Sequence, residues 1–222
     1  DNPAERRIEI KVNNRLFTQL VYADTIEKPV LYPIMAADGL PITRGFPWNP
    51  APNDPTDHPH HLGLWMNYEK VNGLDFWNNS FAIPADKKQQ YGWIRTRKIL
   101  RAEGGNQGTI EYLAEWTNQQ QQVLLQEKTT LIFHEEKNIR WIDRITDLTA
   151  AMTVSMPDAK DGLLGLRVAH ELELPITETK EYADAQGNIT KINAVKDASV
   201  TGQYLTSAGK EGDDAWGTRG NW

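Results

Sequence analysis

The chain of 222 residues contains no cysteine. This absence excludes a disulfide framework, a thiolate zinc site and a cysteine nucleophile. The sequence also lacks any run of about 18 apolar residues, so no segment is predicted to span a membrane. Basic residues are outnumbered, 24 Lys and Arg against 30 Asp and Glu, and the formal net charge is -6. A nucleic-acid partner is not expected, because no basic surface is available to meet phosphates.

Several motifs that define enzyme classes are also missing. The sequence contains no G-x-S-x-G nucleophile elbow, no phosphate-binding glycine loop with lysine, no dinucleotide fingerprint and no H-E-x-x-H. Any catalytic role must therefore rest on a site that these signatures do not describe. With 39% hydrophobic residues, the chain can still bury a substantial core.

Strand patterns recur along the chain, and no convincing amphipathic helix interrupts them. A hairpin is predicted around Asn13 and Asn14, because alternating apolar and polar residues flank this short polar turn. Further strands are predicted over residues 93–100, 109–116, 123–136, 139–150, 163–174, 189–193 and 200–207, with a turn at 187–188. The apolar run at 30–35 is too short and too closely bounded by proline for a helix. Strands at short intervals predict an all-β fold, an antiparallel β-sandwich forming a single domain over 1–222.

The stretch 45–77 differs from the rest in composition. Eight of the twelve prolines lie between Pro29 and Pro59, and proline disfavours both helix interiors and central strands. We therefore expect a long, stiff loop. It carries three of the five histidines and three of the eight tryptophans. Long loops in compact domains are usually functional, so this one is predicted to form the active or binding site.

The segment DHPHH at 57–61 is the sharpest local signal. In an extended chain, residues two apart point the same way, so His58 and His60 are expected to share one side. Two imidazoles with a carboxylate, Asp57 or Asp75, can ligate one divalent metal ion. Alternatively, histidine acts as a general acid or base, or the rings only fill space under the prolines. The predicted metal ligands are His58, His60 and Asp57; the predicted catalytic residues are His58, His60, His61 and His170.

Flat rings and cationic side chains near this loop predict a carbohydrate ligand. Tryptophan offers an apolar face with one donor, which suits a sugar ring, although each ring alone is typical of core packing. Arginine pairs bidentately with a carboxylate such as that of a uronic acid, although each arginine can equally be exposed or paired on a strand. The predicted substrate-binding residues are Arg44, Trp48, Trp65, Asp75, Trp77 and Arg167.

Four segments carry a family resemblance: LYPIMAADGLPITRGFP, TDHPHHLGLWMNYEKVNGLDFW, DGLLGLRVAHELE and YLTSAGKEGDDAWGTRGNW. Together they resemble a bacterial family of uncharacterised exported proteins labelled "methane oxygenase PmoA-like". The resemblance implies a carbohydrate context and is compatible with part of a galactose-mutarotase-like supersandwich. Methane oxygenase activity is not expected, because that subunit is an integral membrane protein and this sequence has no spanning run.

The resemblance also bears on location and on the ends of the chain. A chain without cysteine that starts at Asp1 fits a processed exported protein, so a periplasmic or secreted location is predicted. Family members run on beyond the GTRGNW motif, and the chain stops on Trp222 without a closing strand. We therefore expect missing C-terminal strands or a partner subunit.

Three hypotheses about function follow. The first is a carbohydrate-active enzyme, a hydrolase, lyase or epimerase that uses histidine acid/base chemistry. The second is a non-catalytic carbohydrate-binding module. The third is a metal-dependent enzyme that uses the DHPHH segment as its ligand set.

Overall fold

A computed structural model describes residues 4–176, 178–183, 189–192, 194 and 197–221. The chain forms two compact units. Unit 1 comprises Asp1–Thr43 and Pro59–Arg167, and unit 2 comprises Arg44–His58 and Val168–Trp222. The units are interleaved along the chain, since the segment 44–58 interrupts unit 1. The prediction of a single domain over 1–222 therefore stays a prediction.

Unit 1 contains two antiparallel sheets, which confirms the predicted all-β class and is consistent with a β-sandwich. The five-stranded sheet has the order β1-β2-β3-β4-β9, and the four-stranded sheet has the order β5-β6-β7-β8. The strands are β1 (Arg7–Val12), β2 (Arg15–Val21), β3 (Val30–Leu31), β4 (Leu64–Tyr68), β5 (Trp93–Glu103), β6 (Gly108–Thr117), β7 (Val123–Glu136), β8 (Ile139–Ala150) and β9 (Gly162–Leu166).

Alternation along the strands builds the core of unit 1. On β6, alternate residues point to one face, and the four on the inner face, Ile110, Tyr112, Ala114 and Trp116, are all buried. They pack in one cluster with apolar side chains of both sheets, among them Phe17 of β2. Burial of such side chains stabilises the fold by about 25 cal/mol per Å² of apolar surface.

The first hairpin follows its turn chemistry. Asn13 and Asn14 have φ values of 50° and 62°, as a two-residue type I′ turn requires. The strands on either side pair from Arg7 with Val21 to Val12 with Arg15. Asparagine tolerates this left-handed backbone better than most residues, so the prediction from sequence is confirmed.

Unit 2 has little regular structure in its described part. One hairpin joins β10 (Lys180–Ala183) to β11 (Ile189–Ile192), and short 3₁₀ helices span His170–Leu172 and Gly212–Ala215. Among the residues described in both units, no helix has the length and apolar character needed to cross a bilayer.

Three predictions about elements need correction, and two predicted features fall outside the described residues. The predicted loop over 45–77 is wrong at Leu64–Tyr68, because these residues contain no proline and form β4, which pairs with β3 and β9. The strand over 163–174 ends at Leu166. Residues 200–207 contain only an isolated bridge, between Leu205 and Glu211, because Thr206 begins a tight turn. Trp222 and the turn at 187–188 lie outside the described residues.

Candidate functional site

Arg44 is the organising residue of the segment 44–58 in unit 2. Its side chain is buried, with 1% of the residue exposed. Nη1 donates to Pro55 O at 3.0 Å and to Asp57 O at 2.8 Å, and Nη2 donates to His58 O at 3.0 Å. A guanidinium carries several donors in a rigid fork, so one side chain holds three carbonyl groups. Arg44 thereby positions this loop, while its predicted role in binding a substrate carboxylate stays a prediction.

Asp54 organises the beginning of the same loop. Its Oδ2 accepts hydrogen bonds from the backbone N–H groups of Gly45 at 2.9 Å, Phe46 at 3.1 Å and Ala51 at 2.9 Å. Aspartate commonly accepts from nearby backbone in this way, which fixes a loop without regular structure. The loop is thus held from both ends before any ligand binds.

Asp57 and His58 form a direct pair at the end of the loop. Asp57 Oδ2 contacts His58 Nδ1, and Asp57 Oδ1 lies 3.7 Å from Arg44 Nη1. His58 has φ +46° and Pro59 and His60 form a turn, so the extended run expected here is wrong. A non-glycine residue in the left-handed region is uncommon and often marks a functional site.

His170 is the second histidine of unit 2, and both of its ring nitrogens face carboxylates. Nδ1 lies 3.2 Å from Glu173 Oε2, and Nε2 lies 3.1 Å from Asp197 Oδ2. In a 3₁₀ helix residues three apart eclipse one another, which brings Glu173 beside His170. Burial acts to lower the pKa of His170, but the hydrogen bonds that the ring donates to Glu173 and Asp197, together with the charges of these carboxylates, outweigh burial and raise the pKa.

Asp197 is kept ionised beside this histidine. Its pKa is lowered first by the hydrogen bond from the Ser199 hydroxyl, then by the Ser199 N–H and by His170. The Ser199 contacts are 2.7 Å for the hydroxyl and 2.9 Å for the N–H, both to Oδ1. One oxygen of Asp197 is therefore held by Ser199, and the other faces His170.

A cavity of about 310 Å³ in unit 2 brings these groups together. Asp57 from the loop and His170, Glu173 and Asp197 from the later segment all line it. Lys191 of β11 adds a cation to the lining, and Leu174, Ile176 and Val200 add apolar surface. Clefts of this size with a few convergent polar groups are typical small-molecule sites. This cavity is the candidate functional site.

The remaining predicted histidines and two of the tryptophans lie in unit 1. His61 stacks on Trp65 with ring centroids 5.0 Å apart, and Trp77 lies 5.2 Å from Trp65. The His60 ring packs edge-on against His61 at 4.3 Å. Trp65 is 2% exposed and Trp77 is 9% exposed, so these two rings offer little surface to a ligand. Of the three predicted platform tryptophans, Trp48 of unit 2 is the accessible one, at 40%.

Sequence reasoning missed Lys28, which holds this aromatic cluster from within. Its Nζ donates to His60 O at 2.8 Å and lies 3.5 Å from Trp77 O and 5.3 Å from the Trp65 ring centre. Burial lowers the pKa of Lys28 to about 8, against smaller opposing effects of Glu27 and Asp75. A single lysine in a mixed segment gives no sequence signal of such burial.

Asp75, predicted to bind substrate, has a local structural role in unit 1. Its two carboxylate oxygens accept from the backbone N–H and side-chain amide of Asn78, at 2.9 and 2.8 Å. Burial raises the pKa of Asp75 to about 6, and the Asn78 hydrogen bonds only partly oppose that shift. The predicted contact of Asp75 with substrate stays a prediction.

Arg167, the other arginine predicted to bind substrate, also belongs to unit 1. Its backbone N–H donates to Gly63 O at 2.9 Å.

Titration of Lys28 should be visible in the stability of the protein. Because its folded pKa is depressed below 10.5, we expect the free energy of unfolding to rise by about 3 kcal/mol as pH increases from 8 to 10.5. The Lys28→Met variant should lack this rise, and the exposed control Lys11→Met should keep it. Urea denaturation across this pH range measures the difference; identical profiles for wild type and Lys28→Met would show that Lys28 does not titrate there.

The predicted metal ligands are divided between the units, with Asp57 and His58 in unit 2 and His60 in unit 1. Within the part of the chain that the structure describes, no three His, Asp or Glu side chains are grouped to hold a metal ion. Asp57 and His58 contact each other directly. The assignment of His58, His60 and Asp57 as metal ligands therefore stays a prediction.

The fold and the site define the class: an all-β protein whose second unit carries a cavity lined by a histidine and carboxylates. The chain belongs to DUF6807, a family of unknown function, and the family model matches residues 7–222. No curated protein and no solved structure matches the chain. The resemblance to proteins labelled PmoA-like stays a prediction.

Proposed function

We propose that the protein is a carbohydrate-active enzyme whose substrate binds in the cavity of unit 2 and receives a proton from His170. The observation that carries this proposal is the imidazole of His170 between two carboxylates in the lining of that cavity. Imidazole near neutral pH is the commonest general acid or base of enzymes. An exported location belongs to the same proposal.

The geometry around His170 suggests how the proton would move. Glu173 holds Nδ1 and is the more buried of the two carboxylates, whereas Asp197 at Nε2 is more exposed. A sugar oxygen would therefore enter on the Nε2 side and take its proton, while Glu173 keeps the ring oriented. When the bond between this oxygen and the sugar carbon breaks, Asp57, also in the lining, would take a proton from the water that attacks the carbon.

The lining also bears on the kind of sugar. The lining holds three carboxylates and two basic side chains, His170 and Lys191, and Lys191 is paired with Glu181 at 3.5 Å. The Arg44 guanidinium, predicted as a carboxylate ligand, is engaged with three backbone carbonyls. These observations favour a neutral sugar over a uronic acid. Trp48, exposed on the same loop, supplies a ring face for stacking.

The test is turnover of a panel of neutral oligosaccharides by wild type and His170→Gln, with products separated by chromatography. Loss of the general acid is expected to lower kcat about 10²- to 10⁴-fold. Arg101→Gln is the control, because Arg101 lies on β5 of unit 1 and pairs with a carboxylate, Glu103, at 2.6 Å on the surface. Equal turnover by wild type and His170→Gln would remove His170 from the mechanism.

The pH dependence provides an independent test. If protonated His170 is the acid, kcat should be constant at low pH and fall as pH rises through its pKa, which lies above the usual value near 6.5. Asp197→Asn removes one of the groups that raise this pKa, so the falling limb should move to lower pH. A falling limb that stays in place in Asp197→Asn would contradict the assignment.

A further inference from the structure

The outer face of the four-stranded sheet in unit 1 carries an exposed tryptophan with a fixed ring. Trp141 on β8 is 41% exposed. Its ring stacks on that of His134, its cross-strand partner on β7, with centroids 4.6 Å apart and planes 5° apart. Stacked cross-strand rings restrain each other's rotamers. Trp141 is therefore presented to solvent in one orientation.

Polar groups hold the histidine of this stack. His134 Nε2 lies 2.9 Å from Asp143 Oδ2, and the Gln107 amide nitrogen lies 3.2 Å from Nδ1. The surroundings of the indole thus combine a carboxylate, an amide and an imidazole. These groups both donate and accept hydrogen bonds at a ligand's edge.

The apolar surface extends along β8. Ile139 and Ile145 lie two and four residues from Trp141, so their side chains leave the sheet on the same face. Both are more than half exposed. Asp143 and Asp147 alternate with them on that face. Exposed apolar side chains bordered by polar groups are typical of a binding surface.

We infer that Trp141, with Asp143, His134 and Gln107, forms a second carbohydrate-binding surface, on which a pyranose ring of a polysaccharide stacks. A sugar ring has an apolar C–H face for the indole and a rim of hydroxyls for the carboxylate and the amide. A protein partner fits less well, because charged residues are depleted at the centre of protein interfaces. The inference shares only its ligand class with the proposed function and uses no residue of the unit 2 cavity.

Affinity electrophoresis tests the surface, with the chain run through gels containing a β-1,4-glucan, a β-1,3-glucan, an α-1,4-glucan or a β-1,4-xylan. Wild type should be retarded by at least one polymer, and Trp141→Ala should weaken that binding about tenfold or more. Trp216→Ala is the matched control, an exposed tryptophan of unit 2. Circular dichroism checks that each variant is folded.

The outcomes separate this surface from the cavity. Retention that is lost in Trp141→Ala and kept in Trp216→Ala supports the surface even if no sugar is turned over, because neither tryptophan lines the unit 2 cavity. The inference is overturned if wild type binds none of the four polymers, or if Trp141→Ala binds them unchanged. It is also overturned if Trp141→Ala converts a dimer to a monomer in size-exclusion chromatography, because the face would then be a protein interface.

Discussion

The Arg44→Ala variant is expected to lose about 3–5 kcal/mol of unfolding free energy and all binding in the unit 2 cavity. The guanidinium is fully buried and donates to the carbonyls of Pro55, Asp57 and His58. Each carbonyl left without a donor costs about 1–3 kcal/mol, unless the loop opens to water. Because Asp57 lines the cavity, opening of the loop would remove one wall of the site.

Thermal and urea denaturation measure the loss of stability, and isothermal calorimetry with an oligosaccharide substrate measures binding. Arg44→Lys should be intermediate, since one ammonium group cannot reproduce the fork of a guanidinium. Arg15→Ala is the control: Arg15 also donates to a backbone carbonyl, Asp38 O, at 2.8 Å, but on the surface of unit 1. We expect a change of at most about 0.5 kcal/mol there. If Arg44→Ala is as stable as Arg15→Ala, the loop 44–58 does not depend on the hydrogen bonds of the Arg44 guanidinium.

The strands were predictable where the alternation was long and uninterrupted. β7 and β8 begin and end at the predicted residues, 123–136 and 139–150. On β7 most outward residues are polar or charged, so its period of two is plain in the sequence. β8 follows a short polar turn, although its exposed residues include Ile139, Trp141 and Ile145. β4 was missed because Leu64–Tyr68 is short and follows the proline-rich segment directly. A five-residue strand between two partners is determined by tertiary pairing more than by its own pattern.

The site was predictable in part. The histidines of the loop predict a site there, and two of the predicted site residues, Asp57 and His170, line one cavity. The partners of His170 were not predictable from spacing. Glu173 comes within reach because of a 3₁₀ helix, and Asp197 is 27 residues away along the chain. The burial of Trp65 was not predictable either. This residue of β4 was expected to bind substrate, but its ring packs in a buried aromatic cluster of unit 1.

Glu127→Ala should destabilise unit 1 strongly, by about 3–5 kcal/mol. This buried carboxylate on β7 accepts four hydrogen bonds. The donors are Tyr112 OH at 3.1 Å, Trp116 Nε1 at 2.8 Å, Thr129 Oγ1 at 2.7 Å and Arg144 Nη2 at 2.8 Å. Removing the acceptor leaves the Arg144 guanidinium without its buried counter-ion, which costs more than the pair itself contributes.

A double-mutant cycle, with unfolding free energies measured by urea denaturation, separates the contribution of the Glu127–Arg144 ion pair from that of lost packing. If an uncompensated Arg144 causes most of the effect, Glu127→Gln combined with Arg144→Met should be more stable than Glu127→Gln alone. Glu115→Ala on β6 is the matched control, because Glu115 pairs with Arg97 at 2.6 Å on the surface and should cost less than about 1 kcal/mol. Additive effects of the two substitutions would contradict coupling. In that case the stability of the sheet would rest on its apolar core, and Glu127 would be an ordinary buried acceptor.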